Sequence, residues 1–285
     1  MNAVLADLVK VLELEQLEVN LFRGVSRDIG LPQVFGGQVL GQALHAANAT
    51  VSADRLVHSL HAYFLLPGDV NAPIVYEVDR SRDGGSFSSR RVVAIQHGNP
   101  IFHMSASFQI EQKGLEHQST MPLVPAPETL QDIRELVAAA PDIPVELKRW
   151  FQVQLPIEFR PVDPEQMMSA TPGEPLVRFW FRAIDKLPDN VMLHRSVLAY
   201  ASDFYLLRTA TEPHGIPFPS ARLRLATIDH AMWFHRPVRV DEWLLYSIDS
   251  PSASGSRGLS RGSIFDRNGN LVASVAQEGM VRVKS

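Results

Sequence analysis

Ala62-Tyr63-Phe64-Leu65-Leu66-Pro67-Gly68-Asp69-Val70 and Met232-Trp233-Phe234-His235-Arg236-Pro237-Val238-Arg239-Val240 are one stretch written twice, 170 residues apart. Phe64, Pro67 and Val70 fall on Phe234, Pro237 and Val240, and the overlay runs without a gap over 62–107. Along it Tyr76 meets Tyr246, Asp79 meets Asp249, Gly85-Ser86 meets Gly255-Ser256, Arg91 meets Arg261 and Ala106 meets Ala276. Unrelated stretches of ordinary composition agree at about one position in fifteen, so the run marks a duplicated unit. A chain of 285 residues made of two such units reads as two domains.

Working outward, each copy reads as a helix followed by strands. Val39, Leu40, Ala43, Leu44 and Ala47 make one apolar stripe, which predicts a helix over Phe35–Ala47. Gly36, Gly37 and Gly41 lie in it at a cost of about 1 kcal/mol each against alanine at interior positions, a cost that close packing would offset. Strands follow at Leu56–Leu65, Ile74–Val78, Ser86–Gln96 and Ile101–Ile110, the last two joined by the turn residues His97-Gly98-Asn99-Pro100. The second copy repeats the order. A helix is expected over Val191–Thr209, then strands at Leu223–Phe234, Glu242–Ile248, Gly258–Phe265 and Leu271–Val283, with a hairpin turn at Arg267-Asn268-Gly269-Asn270. Val177–Ala183 reads as that copy's early strand. Ahead of the first copy, Leu5, Leu8, Val9 and Leu12 predict a short helix, and Leu17, Val19 and Leu21 alternate as one strand. Pro122 to Pro175 holds ten of the twenty prolines, so it reads as a mostly irregular connector with one short helix at about Glu128–Ala139.

An antiparallel sheet needs one face covered, and a glycine-rich apolar helix supplies the cover. The expected fold is therefore α+β, a double hotdog: two antiparallel sheets, each wrapped on a central helix, joined edge to edge as an intrachain pseudo-dimer. The divisions are 1–115 for the N-terminal unit, 116–175 for the connector and 176–285 for the C-terminal unit.

Composition narrows the function. Hydrophobic residues make up 45% and charged residues 20%, and net charge is −4. These values fit a globular chain with no general attraction to nucleic acid or anionic membrane. The chain has no cysteine, which excludes disulfides, thiolate nucleophiles and cysteine-ligated metals. No apolar run is long enough for a membrane helix. Met1–Asp7 lacks the pattern of a signal peptide, and Val283-Lys284-Ser285 is not a peroxisomal tail. A cytoplasmic protein is the expectation.

Several long motifs, in order, carry a resemblance over nearly the whole chain: Val34-Phe35-Gly36-Gly37-Gln38-Val39-Leu40-Gly41-Gln42-Ala43-Leu44, His58-Ser59-Leu60-His61-Ala62-Tyr63-Phe64, Leu198-Ala199-Tyr200-Ala201-Ser202-Asp203, Thr227-Ile228-Asp229-His230-Ala231-Met232-Trp233-Phe234-His235 and Ala276-Gln277-Glu278-Gly279. The chain resembles the acyl-CoA thioesterase II family of double-hotdog hydrolases. The resemblance implies an acyl-CoA substrate cut to CoA and a carboxylic acid, no cofactor, and association of chains into a homo-oligomer, plausibly a tetramer. It also implies a catalytic set of an Asp, a Thr or Ser and a Gln, which in this sequence are Asp203, Thr227 and Gln277.

The residues themselves support that chemistry. Thioester hydrolysis needs a positioned water, a group to take its proton and donors for the oxyanion. Asp203 is the only carboxylate on the inner half of the second helix, and Thr227 and Gln277 offer a hydroxyl and an amide to orient the same water. The overlay sets His45 opposite Asp203, Val57 opposite Thr227 and Ser107 opposite Gln277, so one active centre per pseudo-dimer is expected, built by the C-terminal copy. A competing base is a histidine: His58 and His61 are read as sharing one strand face, and His230 and His235 as structural. No histidine pair has zinc spacing. Gly258-Leu259-Ser260-Arg261-Gly262 fits a nucleophile-elbow pattern, but no helix or later histidine follows. Gly36–Gly41 lacks dinucleotide-fingerprint spacing, and its free amides would lie near substrate. Arg80, Arg82, Arg90, Arg91, Arg257 and Arg261 could meet the CoA phosphates, and none is assigned. Two alternatives stand beside hydrolysis: a non-catalytic acyl-CoA-binding protein, which would lose the trio, and a hotdog hydratase or dehydratase, for which His45 is the only helix histidine placed.

Overall fold

The computed structural model describes residues 1–140, 153–168, 171–216, 220 and 222–283. The first half runs α1 (Ala3–Leu12), β1 (Glu15–Glu18), β2 (Leu21–Gly24), α2 (Gly36–Asn48), β3 (Arg55–Phe64), β4 (Ile74–Asp83), β5 (Phe87–Gln96) and β6 (Asn99–Ile110). A connecting region holds a 3₁₀ turn (Pro127–Thr129), α3 (Ile133–Ala139), β7 (Ile157–Pro161) and α4 (Pro164–Met168). The second half runs β8 (Leu176–Ala183), α5 (Val191–Ser202), α6 (Leu206–Thr209), β9 (Leu223–Thr227), β10 (Asp229–Phe234), β11 (Leu244–Ser254), β12 (Arg257–Asp266) and β13 (Leu271–Val283).

The duplicated stretch is the seam of the molecule. β3 and β10 pair antiparallel with His61 opposite Ala231, Leu60 opposite Met232 and Ala62 opposite His230. A shift of 170 exchanges the members of each relation, so the seam is self-complementary, as a two-fold interface must be. It fuses both halves into one sheet of order β1-β2-β4-β5-β6-β3-β10-β13-β12-β11-β8-β7, with β9 also on β13. The α+β double hotdog is the observed fold. Even an irregularity is duplicated: the register slips between Asp79 and Arg82 on β4 and between Asp249 and Ser252 on β11.

α2 and α5 fill the concave side. Asn190 caps α5, its Oδ1 accepting from the amides of Met192 at 3.0 Å and Leu193 at 3.1 Å. The glycines of α2 face α5 at very short range: a Cβ at Gly37 would lie 2.2 Å from the carbonyl oxygen of Tyr200, and one at Gly41 would lie 3.1 Å from that of Ser196. Gly37→Ala should therefore lower unfolding free energy by about 1–3 kcal/mol through overpacking, despite alanine's better helix propensity. Denaturant unfolding measures this, and a variant as stable as wild type would refute the close approach.

Four expectations are corrected. Leu17–Leu21 is not one strand but the two arms of the β1–β2 hairpin, paired from Glu15–Arg23 to Glu18–Leu21. The helix expected over Val191–Thr209 ends at Ser202. Asp203 is its C-cap, and Tyr205 at φ 65° turns the chain before α6 begins. The gapless overlay fails at the last hairpin, where the second copy's turn is one residue longer: Gly98 at φ 74° corresponds to Gly269 at φ 83°. The correspondence then becomes 171, the alternation of buried residues agrees, and Ala106 rather than Ser107 stands opposite Gln277.

The connector also contributes more structure than its prolines imply. β7 extends the C-terminal sheet by pairing with β8. The short helix is α3, entered through the 3₁₀ turn and capped by Asp132, whose Oδ1 accepts from the Arg134 amide at 2.7 Å. Residues 118–130 lie on the outer face of the second sheet, where Gln118 bonds Gly269 and Leu271. There Met121, Val124 and Leu130 cover Trp180, Trp243, Leu245 and Phe265, and Trp180 Nε1 donates to Pro125 O at 2.9 Å. Positions 141–152 and 169–170 of the connector fall outside the described residues. No helix among the described residues is long and apolar enough to cross a membrane.

Candidate active site

Asp203, Thr227 and Gln277 come from three elements and line one cavity of about 770 Å³. The helix break delivers Asp203, since a residue at the C-cap can turn its side chain away from α5 toward the start of α2. There Gly36 leaves the space: a Cβ on it would lie 2.6 Å from Asp203 Oδ2. α2 begins after Phe35, with no side chain capping its amides, so the positive end of its dipole faces the carboxylate. Burial raises the Asp203 pKa to about 6, against the opposing pull of the Gly37 amide and the Gln277 side-chain amide. Its Oδ1 is buried and has no hydrogen-bond partner.

Gln277 is fixed from both ends. Its Nε2 donates to Thr227 Oγ1 at 3.0 Å, and its Oε1 lies 2.6 Å from His230 Nδ1. An amide oxygen only accepts, so Nδ1 carries the ring proton. The other nitrogen, Nε2, lies 3.0 Å from the Ser202 hydroxyl, which is also 2.9 Å from Ala199 O. Burial lowers the His230 pKa to about 4, so the ring is neutral and keeps one defined tautomer at neutral pH. A line Ser202–His230–Gln277–Thr227 results, ending in the cavity beside Asp203.

The duplicate supplies a control. Val39-Leu40 and Ala43 of α2 align with Val197-Leu198 and Ala201 of α5 at a shift of 158, which carries Leu44 onto Ser202 and His45 onto Asp203. The counterparts of Ser202, His230, Gln277 and Thr227 are Leu44, Leu60, Ala106 and Val57, all buried. One half has an apolar core where the other has a connected polar line. The position of Gly37 is taken in the other half by Arg195, whose Nη1 donates to Val57 O at 2.6 Å. The N-terminal copy lacks the carboxylate, and Arg195 of α5 reaches across to its equivalent strand.

The remaining candidates separate. His58 and His61, three residues apart, do share the outer face, because the register slips between Val57 and Ser59: His58 meets Ser107 and His61 stands opposite Ser105, two residues along the same face of β6. His58 Nε2 lies 2.8 Å from Ser107 Oγ, in a separate polar cavity with Arg82, Ser86 and Phe87. Burial, then the Arg195 charge, lower its pKa. His61 packs edge-on to Trp233 at the seam. His235 bonds Ser274 at 2.9 Å. His45 lies outside the cavity that holds Asp203. His230, read from sequence as structural, is bonded to Gln277. Its apolar counterpart Leu60 was the available signal. Gly258–Gly262 lies inside β12, where Gly258 makes room for Ala210 and Gly262 for Tyr246. Of the six arginines, Arg90 is buried on Thr50 and Asp83, Arg261 pairs with Asp249, Arg80 bonds Asn20, and only Arg257 lines the cavity. No group of three potential metal ligands occurs among the described residues.

The fold is that of a double hotdog, with a carboxylate, an amide and a hydroxyl meeting in one cavity, and comparison gives the family. The family described as acyl-CoA thioesterase matches residues 151–280, and its N-terminal-domain counterpart matches 25–109. Acyl-CoA thioesterase 2 of Haemophilus influenzae is 42% identical over 99% of both chains. Human acyl-coenzyme A thioesterase 8 is 44% identical over 96% of this chain and 88% of its own. The crystal structure of acyl-CoA thioesterase II TesB2 from Mycobacterium marinum superposes with TM-score 0.81 at 44% identity, covering 98% of this chain and 99% of that one. The chain belongs to the acyl-CoA thioesterase family.

Proposed function

We propose that this acyl-CoA thioesterase cleaves its substrate by direct attack of water, with Asp203 as the base and Thr227 and Gln277 orienting the water. The observation that carries the reading is the Asp203 carboxylate: its Oδ1 is unpartnered, and it is the one acidic residue among the described residues that line the cavity. With its pKa near 6, it is ionised at neutral pH and still basic enough to take a proton in the transition state.

The water oxygen attacks the thioester carbonyl carbon as its proton passes to Asp203. The tetrahedral oxyanion forms beside the uncapped first turn of α2, where backbone amides and the helix dipole favour negative charge. Collapse breaks the C–S bond, and the leaving thiolate takes the proton from Asp203, giving CoA thiol and a carboxylic acid. Leu31, Val34, Phe204, Leu207 and Leu225 give the cavity apolar walls for the acyl chain. A thiolate nucleophile is excluded because the chain has no cysteine, and Ser260 of the elbow-like pattern is buried within a strand.

The test is thiol release from saturated acyl-CoAs of graded length across pH. The rate should rise about tenfold per unit below pH 6 and level off above it, since only ionised Asp203 accepts a proton. A rate that falls as pH rises through 6 would overturn the assignment, and no release from any substrate would favour an acyl-CoA-binding role.

A further inference from the structure

The outer face of the catalytic half carries a basic cluster at the cavity rim. Arg224 on β9 and Arg282 on β13 stand directly opposite in antiparallel register. The next same-face residue of β13, Met280, stands opposite Ala226 on one side and Arg257 on the other. Arg257, Ala226, Met280 and Arg282 all line the catalytic cavity. Arg224 and Arg282 are exposed, and among the described residues neither side chain has a hydrogen bond or ion pair. Arg257 is held by Glu278 at 3.0 Å, the one carboxylate engaging the cluster. Like charges directly opposite on paired strands destabilise a sheet, unless an anion bridges them.

The duplicate again discriminates. At the shifts that fit the two sheets, Arg224 corresponds to Asp54, Arg282 to Glu111 and Arg257 to Phe87. Both arginines of the facing pair are replaced by carboxylates in the other half, so the cationic pair is not inherited from the repeated scaffold. It is confined to the rim that opens onto Asp203.

We propose that Arg224 and Arg282, flanked by Arg257, seat the phosphate groups of the acyl-CoA substrate, with the pantetheine arm running from this rim to Asp203. Guanidinium forks match phosphate oxygens two at a time, and a pair from adjacent strands fits a diphosphate or bisphosphate. The proposal rests on the thioesterase reading, and its test separates the two.

Wild type, Arg224→Gln, Arg282→Gln and the double variant are assayed with one short acyl-CoA and with the same acyl group on pantetheine, which has no phosphate. The double variant should show roughly a tenfold rise in KM for acyl-CoA, about what losing two solvent-exposed ion pairs implies. Its kcat should stay within about twofold, and KM for the pantetheine thioester should not move. Calorimetry with CoA alone should show the same loss of affinity, whatever the state of catalysis. Equal KM changes on both substrates, or CoA affinity unchanged in the double variant, would overturn the seat. Absence of hydrolysis by wild type, with CoA binding still lost in the double variant, would reject the thioesterase chemistry and leave the seat standing.

Discussion

Asp203→Asn should lower kcat by about 10³-fold, within the range for loss of a general base, and leave a protein at least as stable as wild type at pH 8. The two halves of that expectation have one cause. Burial lifts the folded-state pKa to about 6 from an ordinary value of 3.8. Between those values the folded protein holds a proton that the unfolded chain has released, so wild-type stability falls as pH rises from about 4 through about 6 and stays lower above. Asparagine resembles the protonated acid and carries no such dependence. Thermal unfolding should show the two proteins alike near pH 4 and the variant ahead at pH 8. A folded Asn variant with turnover within tenfold of wild type would sink Asp203 as the base.

The second large effect is expected at His230. His230→Leu restores the residue its counterpart carries, Leu60, so the change suits the scaffold. It also leaves the buried Gln277 oxygen without its donor at 2.6 Å, at a cost of about 1–3 kcal/mol. Freed at that end, the amide can rotate and misplace the Nε2 group that bonds Thr227. Turnover should fall about 10- to 100-fold by loss of positioning, with KM little changed and the inflection near pH 6 retained because Asp203 still titrates. His230→Asn keeps an N–H donor and should recover part of kcat. If the imidazole served packing alone, the Leu variant would keep wild-type kcat, and that result would remove it from the site.

The duplication was legible in the sequence because the two copies still share turn residues, aromatic positions and alternation. The proposed trio could be picked out because its members lie in long ordered motifs, and the structure brings the three to one cavity. The gapless overlay misplaced Ser107 against Gln277, since one extra turn residue changes no composition but flips every later side chain to the other face. His58 and His61 were assigned to one face, and they share it only because of the register slip between Val57 and Ser59, since three residues of regular strand would separate them.

The sequence by itself determined that two hotdog units lie in one chain, that the proposed trio Asp203, Thr227 and Gln277 belongs to the second, and that cysteine chemistry is excluded. Those conclusions follow from local periodicity and residue identity, which a linear text preserves. Tertiary structure decided that α5 stops at Ser202, that Asp203 meets the open end of α2, that His230 holds Gln277, and that Arg224 and Arg282 share a rim with Arg257. Each of these depends on distances between residues far apart in the chain, set by helix packing and strand register, and no local pattern encodes them.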